Sequence, residues 1–317
     1  MVQSPQQKSV AEIHDEVTSL LRSDAGQAKL GQLGRVLDKL EGSREKAAEA
    51  FKWIRRRPEV AFFTNVSQAS GREVTLDVRI RGQRVGAVVL KERFTRTFEP
   101  KFDIQSLWQD ERTDVPWEDK AVRSYLERCA DHLRGSSQGE REAAAEAVLL
   151  KLMADSTPAK PEPLRETQPA LYAGIPIRLP LPIAGREDTS LAKGYGYPDV
   201  IGRRDRGGRG LAVFEVKKKD ARDVNHALEQ AVTYVATLDV MRASDIGQRY
   251  WNMLGYSGPM DQKRFEAVAV VDHATDVMAL RAAAGALRED TLPGYSLRAL
   301  AFKLEDGDVM SLEEIEL

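Results

Sequence analysis

The period of the apolar positions changes repeatedly along the 317-residue chain. Val10, Ile13, Val17, Leu20 and Leu21 fall at helical spacing behind Ser9. Glu12, three residues after Ser9, completes a capping box, so a helix is predicted there. Gly26 and Gly42 read as punctuation, and SREKAAEAFKWIRRR (43–57) as a third helix stopped before Pro58. In REVTLDVRIRGQRVGAVVL the period falls to two. Val74, Leu76, Val78 and Ile80 share one face, Thr75, Asp77, Arg79 and Arg81 the other, and a turn at Gly82 makes a hairpin. Residues 115–133 return to helical spacing. A mixed helix and antiparallel-sheet domain is therefore expected over 1–134, with GSSQGE (135–140) as the joint.

A second domain is expected over 136–317. It begins with a helix from about 139 to 154 and a loop spaced by Pro158, Pro161 and Pro163. Strands follow at 171–183, 197–204 and 211–219, then a helix at 224–241, a strand at 265–272, a helix at 276–288 and a strand at 295–304. This order predicts an α/β domain, a mixed sheet flanked by helices, and an α+β chain overall.

Composition narrows the function classes. The chain is 42% hydrophobic and 30% charged, which argues against disorder, and its net charge of −2 confines any nucleic-acid surface to a local patch. Cys129 is the single cysteine. An intramolecular disulfide and a Cys-rich zinc site are thereby excluded, and a reducing compartment is expected. His14, His132, His226 and His273 form no metal-ligating spacing. No apolar run approaches the roughly 20 residues that span a bilayer. The start, MVQSPQQKSVAEIHDE, lacks the apolar core of a signal peptide. A cytoplasmic protein without membrane contact is expected.

The chemistry concentrates in GYGYPDVIGRRDRGGRGLAVFEVKKKDA, residues 194–221. LAVFEVK reads as a buried strand, yet Glu215 and Lys217 interrupt it. Residues two apart in a strand share a face. Glu215 and Lys217 therefore lie beside Val213, while Ala212, Phe214 and Val216 face the core. Pairing through the turn RRDRGGRG brings Asp199 beside Glu215. Two adjacent carboxylates repel unless a cation lies between them. Oxygen ligands on a rigid sheet suit Mg²⁺, and Lys217 then sits where it can orient a water or offset charge on a phosphate.

Pro198-Asp199, a hairpin-length gap, then Glu215-Val216-Lys217 resembles the PD-(D/E)XK nuclease superfamily. The order helix, three strands, helix, strand is similar to that family's core. Gln230 and Tyr234 in HALEQAVTYVATL form a QxxxY pattern similar to the extra motif of RecB-type members, and at i and i+4 they share a helical face. The resemblance covers about residues 139–275. It implies a metal-dependent endonuclease with a restriction-endonuclease-like domain. Asp199, Glu215 and the carbonyl of Val216 would be metal ligands, Lys217 the catalytic lysine, and Gln230 and Tyr234 supports of the site. Glu146 would be the acid on the first helix, with Glu142 in reserve. Mg²⁺ is the implied cofactor, with Mn²⁺ able to substitute. The upstream histidine motif of many RecB-type members is missing, and one cysteine excludes a Cys-ligated cluster.

DNA is the favoured substrate, and bacterial genome defence or repair the setting that the tethered architecture suggests. Arg203, Arg204, Arg206, Arg209, Lys218 and Lys219 crowd the turn and are the expected phosphate contacts. The N-terminal domain is expected to select the target, sense a signal, or bind a partner protein or a second copy. Two other readings remain open: a nuclease fold kept as an idle binding module, and a metal-dependent ribonuclease. Arg55, Arg56 and Arg57 read as a helix C-terminus. Tyr195, Tyr197, Trp108, Trp117 and Trp251 are assigned to core or rim packing, and Asp272-His273 to a structural role.

Overall fold

Two large sheets and one two-stranded ribbon organise the described residues in this computed structural model. It describes residues 8–54, 60–66, 74–80, 83–89, 93–96, 104–112, 114–134, 141–184, 196–204, 210–217, 226–260, 264–275, 277–288, 292–305 and 308–317. Three helices come first: α1 (Val10–Arg22), α2 (Asp24–Gly42) and α3 (Arg44–Ile54). The capping box forms as its residues predict. The Glu12 N–H donates to Ser9 Oγ at 3.2 Å, and the Ser9 N–H to Glu12 Oε2 at 2.8 Å. Gly26 does not end a helix. The break falls at Ser23, which caps α2 through the Gly26 N–H. A Cβ on Gly26 would lie 2.1 Å from the Leu20 carbonyl oxygen, so this close helix junction requires glycine.

The first sheet is an antiparallel meander of β1 (Val60–Val66), β2 (Val74–Ile80), β3 (Gln83–Val89), β4 (Arg93–Arg96) and β5 (Asp114–Pro116). Leu76, Val78 and Ile80 are buried as their alternation requires. Asp77, expected on the polar face, is also buried and pairs with Arg84 at 3.2 Å. The next helix, α4, spans Lys120–Arg134; it starts later than expected because 114–116 is strand. Trp108 stacks on Phe94, with Tyr125 edge-on, in the core of this part. Trp117 is buried as well.

The second part runs α5 (Arg141–Ala154), β6 (Thr167–Pro169), β7 (Leu171–Tyr172), β8 (Ile175–Pro176), β9 (Val200–Arg204), β10 (Gly210–Lys217), α6 (His226–Met241), α7 (Asp245–Met253), β11 (Arg264–Asp272), α8 (Val277–Arg288), β12 (Tyr295–Glu305) and β13 (Asp308–Ile315). The long strand expected at 171–183 is instead two short strands and an irregular segment. Pro176, Pro180 and Pro182 lack the N–H a ladder needs, and Ala173 and Gly174 turn the chain with positive φ. The sheet order is β13-β12-β11-β10-β9-β6. β10, β11 and β12 are parallel neighbours, while β9 and β13 run antiparallel to theirs. Parallel pairs need crossover connections, and α6–α7 and α8 supply them. The result is the expected mixed sheet flanked by helices.

Strand alternation divides the core. Ala212, Phe214, Val216, Val268 and Val270 face α5 through Ala145, Leu149 and Met153. Leu211, Val213, Ala267, Ala269 and Val271 face α6 through Leu228, Ala231, Val232 and Val235. The apolar stripe of α1 packs against α6, and α2 against α7, so apolar packing runs across the boundary expected near residue 135. Asp239 on α6 fastens this junction. It pairs with His14 of α1 at 3.2 Å, accepts from the Tyr295 hydroxyl at 2.9 Å, and pairs with Arg242. Among the described residues no helix is long and apolar enough to cross a membrane.

Ile13 is fully buried in this junction. Ile13→Ala is expected to lower the unfolding free energy by about 2–4 kcal/mol and to speed hydrogen exchange at α6 amides. Denaturant titration and exchange mass spectrometry read both. A loss below about 1 kcal/mol, with α6 unaffected, would show that α1 is not part of that core.

Candidate active site

The site forms where β9 begins and β10 ends. Val200 pairs with Phe214, so Asp199, at the bend one residue earlier, lies level with Glu215. β9 stops short of Val216, and the Val216 N–H that faces it donates to Asp199 Oδ2 at 2.9 Å. A side-chain carboxylate thus completes the ladder. The N–H and C=O of one strand residue point the same way, so the Val216 carbonyl also faces this open end. Upstream, Gly196 lets the loop pass close to α6. A Cβ there would lie 2.5 Å from Tyr234 Cε1.

Glu215 is 1% exposed. Its Oε2 lies 3.7 Å from Lys217 Nζ, and among the described residues its Oε1 has no hydrogen-bond partner. Burial, and then the charge of Asp199, push its pKa well above the ordinary carboxylate range, against the pull of Lys217 and Arg178. An orphaned carboxylate oxygen in a closed site costs free energy unless something fills its valence.

Arg178, which the sequence did not single out, is the cation at the centre. Its Nη2 donates to Asp199 Oδ1 at 2.7 Å and lies 3.4 Å from Glu146 Oε1. Its Nε donates to the Asp199 carbonyl at 3.2 Å. Burial works against its charge, but Glu146, Asp199 and Glu215 together raise its pKa above the usual value. The only signal in the sequence was a lone cation inside the apolar run IPIRLPLPI. Glu146 reaches Arg178 from α5 and is buried, unlike an ordinary exposed helix residue. Lys160 anchors the far end of α5 by donating to the carbonyls of Met153 and Thr167, both at 2.6 Å. Arg79 of β2 lies within electrostatic reach of Arg178 and Glu146. Its own pKa is lowered, first by burial and then by Arg178.

The remaining expected residues divide. Tyr234 is buried on α6 beside Gly196, and Gln230, one turn earlier, is half-buried. Arg203 and Arg204 are not beside the carboxylates. Asp199 precedes β9 and Glu215 is near the end of β10, whereas Arg204 ends β9, about 16 Å from Asp199 at a strand's usual rise. Arg204 there pairs with Glu266 at 3.3 Å. Arg203 donates to the Gly255 carbonyl and to Gln168, and lies over the Tyr256 ring. Both have protein partners where they stand. Trp251 is fully buried and stacks on Tyr256, and Tyr197 is half-buried. Asp272 accepts from the Ala274 N–H in the turn after β11. The side chain of Glu142, and Arg55, Arg56, Arg57, Tyr195, Arg206, Arg209, Lys218 and Lys219, lie outside the described residues.

Among the described residues, no group of three or more His, Cys, Asp or Glu side chains is placed to hold a metal ion. The site offers two carboxylates and a main-chain carbonyl, with Glu146 held at Arg178. All are hard oxygen donors, and the orphaned Glu215 Oε1 is the observation that fits a small divalent cation. The chain matches no protein-family model, no curated protein and no solved structure.

Because Glu215 has a higher pKa folded than unfolded, its proton is bound more tightly in the folded chain. That contribution is complete below about pH 4.5 and is lost as pH rises through the raised value. Without divalent metal, Glu215→Gln should therefore gain in melting temperature over the parent as pH rises from 5 to 8. Calorimetry in EDTA reads this. A melting difference that stays constant with pH would contradict the assignment.

Proposed function

We propose that this chain is a metal-dependent nuclease of the PD-(D/E)XK type that hydrolyses phosphodiester bonds, with DNA the favoured substrate and Mg²⁺, or Mn²⁺ in its place, as cofactor. One observation carries the reading. Asp199, Glu215 and Lys217 meet at the end of β10, and among the described residues a buried oxygen of Glu215 has no hydrogen-bond partner there. Asp199, Glu215 and the Val216 carbonyl would hold the cation. When bound, it supplies positive charge to the scissile phosphate and lowers the pKa of a water.

The protein's own groups do the rest. The Val216 N–H fixes the orientation of Asp199. Lys217, on the same strand face as Glu215, orients the attacking water and offsets charge developing on the phosphate. Tyr234 on α6 backs the loop that carries Asp199, with Gln230 one turn earlier on the same helix. α5 and α6 cover the two faces of the sheet around the carboxylates. A single buried cysteine fits the reducing cytoplasm as the compartment.

A second reading, a nuclease fold kept for binding, draws on one observation: both Asp199 oxygens already have protein partners. Plasmid, linear duplex, single-stranded DNA and RNA, each with and without Mg²⁺, separate the two. The parent is expected to cut at least one, and EDTA, Asp199→Ala and Glu215→Ala each to abolish cutting. Lys217→Ala should lower turnover by about 10²-fold or more with affinity for uncut nucleic acid preserved. Cleavage undiminished in EDTA would overturn the proposal. Binding without cleavage of any substrate would favour the second reading.

A further inference from the structure

Arg178 holds the space between Asp199 and Glu146 that a cation shared by those carboxylates would take. Its guanidinium is charged at every accessible pH. Its Nη2 engages Asp199 Oδ1 at 2.7 Å and sits 3.4 Å from Glu146 Oε1, while its Nε is fastened to the Asp199 main chain. The main-chain anchor matters, because the guanidinium stays at the site even when its charge partner changes. Its side chain is one-fifth exposed, so it is not sealed in the core. It comes from the irregular segment after β8, which isolated bridges such as Leu181 to Gly196 hold in place of a continuous ladder.

We propose that Arg178 is a resident cation that competes with divalent metal for Asp199 and keeps the site's metal affinity low in the absence of substrate. The proposal rests on the reading of Asp199 and Glu215 as metal ligands. A divalent ion approaching Asp199 meets a fixed positive charge within hydrogen-bonding distance of the same carboxylate. Charge repulsion at that range is substantial even at the effective dielectric of a protein surface. A phosphate beside Arg178 offers the guanidinium two new acceptor oxygens. Arg178 can then release Asp199 Oδ1 while its Nε anchor holds, and Asp199 becomes a better ligand as substrate arrives. Arg178 is a positioning residue in this account. It sets the charge that Asp199 presents to the metal.

Mn²⁺ binding to the full chain without nucleic acid, followed by electron paramagnetic resonance of free Mn²⁺, tests this apart from cleavage. Arg178→Gln removes the charge and is expected to tighten Mn²⁺ binding about tenfold or more. Arg178→Lys keeps a charge and should stay within about threefold of the parent. A purely structural role would instead loosen metal binding in both variants, and that result, or unchanged affinity in Arg178→Gln, would overturn the proposal. Should Arg178→Gln fail to fold, NMR of the parent decides: the Arg178 side-chain N–H resonances are expected to shift as Mg²⁺ is added. No shift at saturating metal would overturn it. Tighter Mn²⁺ binding in a protein that cuts nothing leaves this inference standing and sinks the nuclease reading. A parent that cuts with Mg²⁺, and an Arg178→Gln variant with unchanged Mn²⁺ affinity, does the reverse.

Discussion

The hydrogen bond from the Val216 N–H to Asp199 Oδ2 joins the fold to the site. It closes the β9–β10 ladder where the backbone of β9 has run out. It also fixes one carboxylate level with a second, Glu215, on the neighbouring strand. Everything else near that strand end answers the charge so concentrated. Arg178 bridges to Asp199 and Glu146, Lys217 stands beside Glu215, and Glu215 resists ionising. Removing one partner of a buried charge pair costs about 3–5 kcal/mol in general, so such a cluster persists in a protein only as a balanced set. Among the described residues the balance leaves one oxygen of Glu215 without a hydrogen-bond partner.

The sheet makes this arrangement possible because its two faces are filled independently. α5 covers one face and brings Glu146 to the strand end, while α6 covers the other and brings Tyr234. α1 and α2 in turn cover α6 and α7. Helices on both sides hold the carboxylates in place, and the irregular segment bearing Arg178 is itself anchored in the core through Ile177, Leu179 and Leu181.

Glu215 and Lys217 were legible in the sequence because strand alternation makes a charge inside an apolar run conspicuous. Asp199 followed from the hairpin that joins the strands, and the capping box at Ser9 from spacing alone. Arg178 carries the same kind of signal as Glu215, a charge within an apolar stretch, but three prolines around it break the alternation that gives the signal meaning. Arg203 and Arg204 stand apart from the carboxylates for a countable reason. A hairpin turn joins the end of one strand to the start of the next, and Asp199 and Glu215 sit at the other ends of both. The packing of α1 on α6 joins residues more than two hundred positions apart, and no local pattern encodes it.

On the function proposed, the strand end bearing Asp199 and Glu215 binds a divalent cation. An anomalous difference map from a Mn²⁺-soaked crystal reads this without reference to cleavage. A peak is expected, bonded to oxygens of Asp199 and Glu215 and to the Val216 carbonyl, with Arg178 swung away from Asp199 Oδ1. A map with no peak there, and Arg178 still bridging Asp199 and Glu146 in excess Mn²⁺, would contradict it.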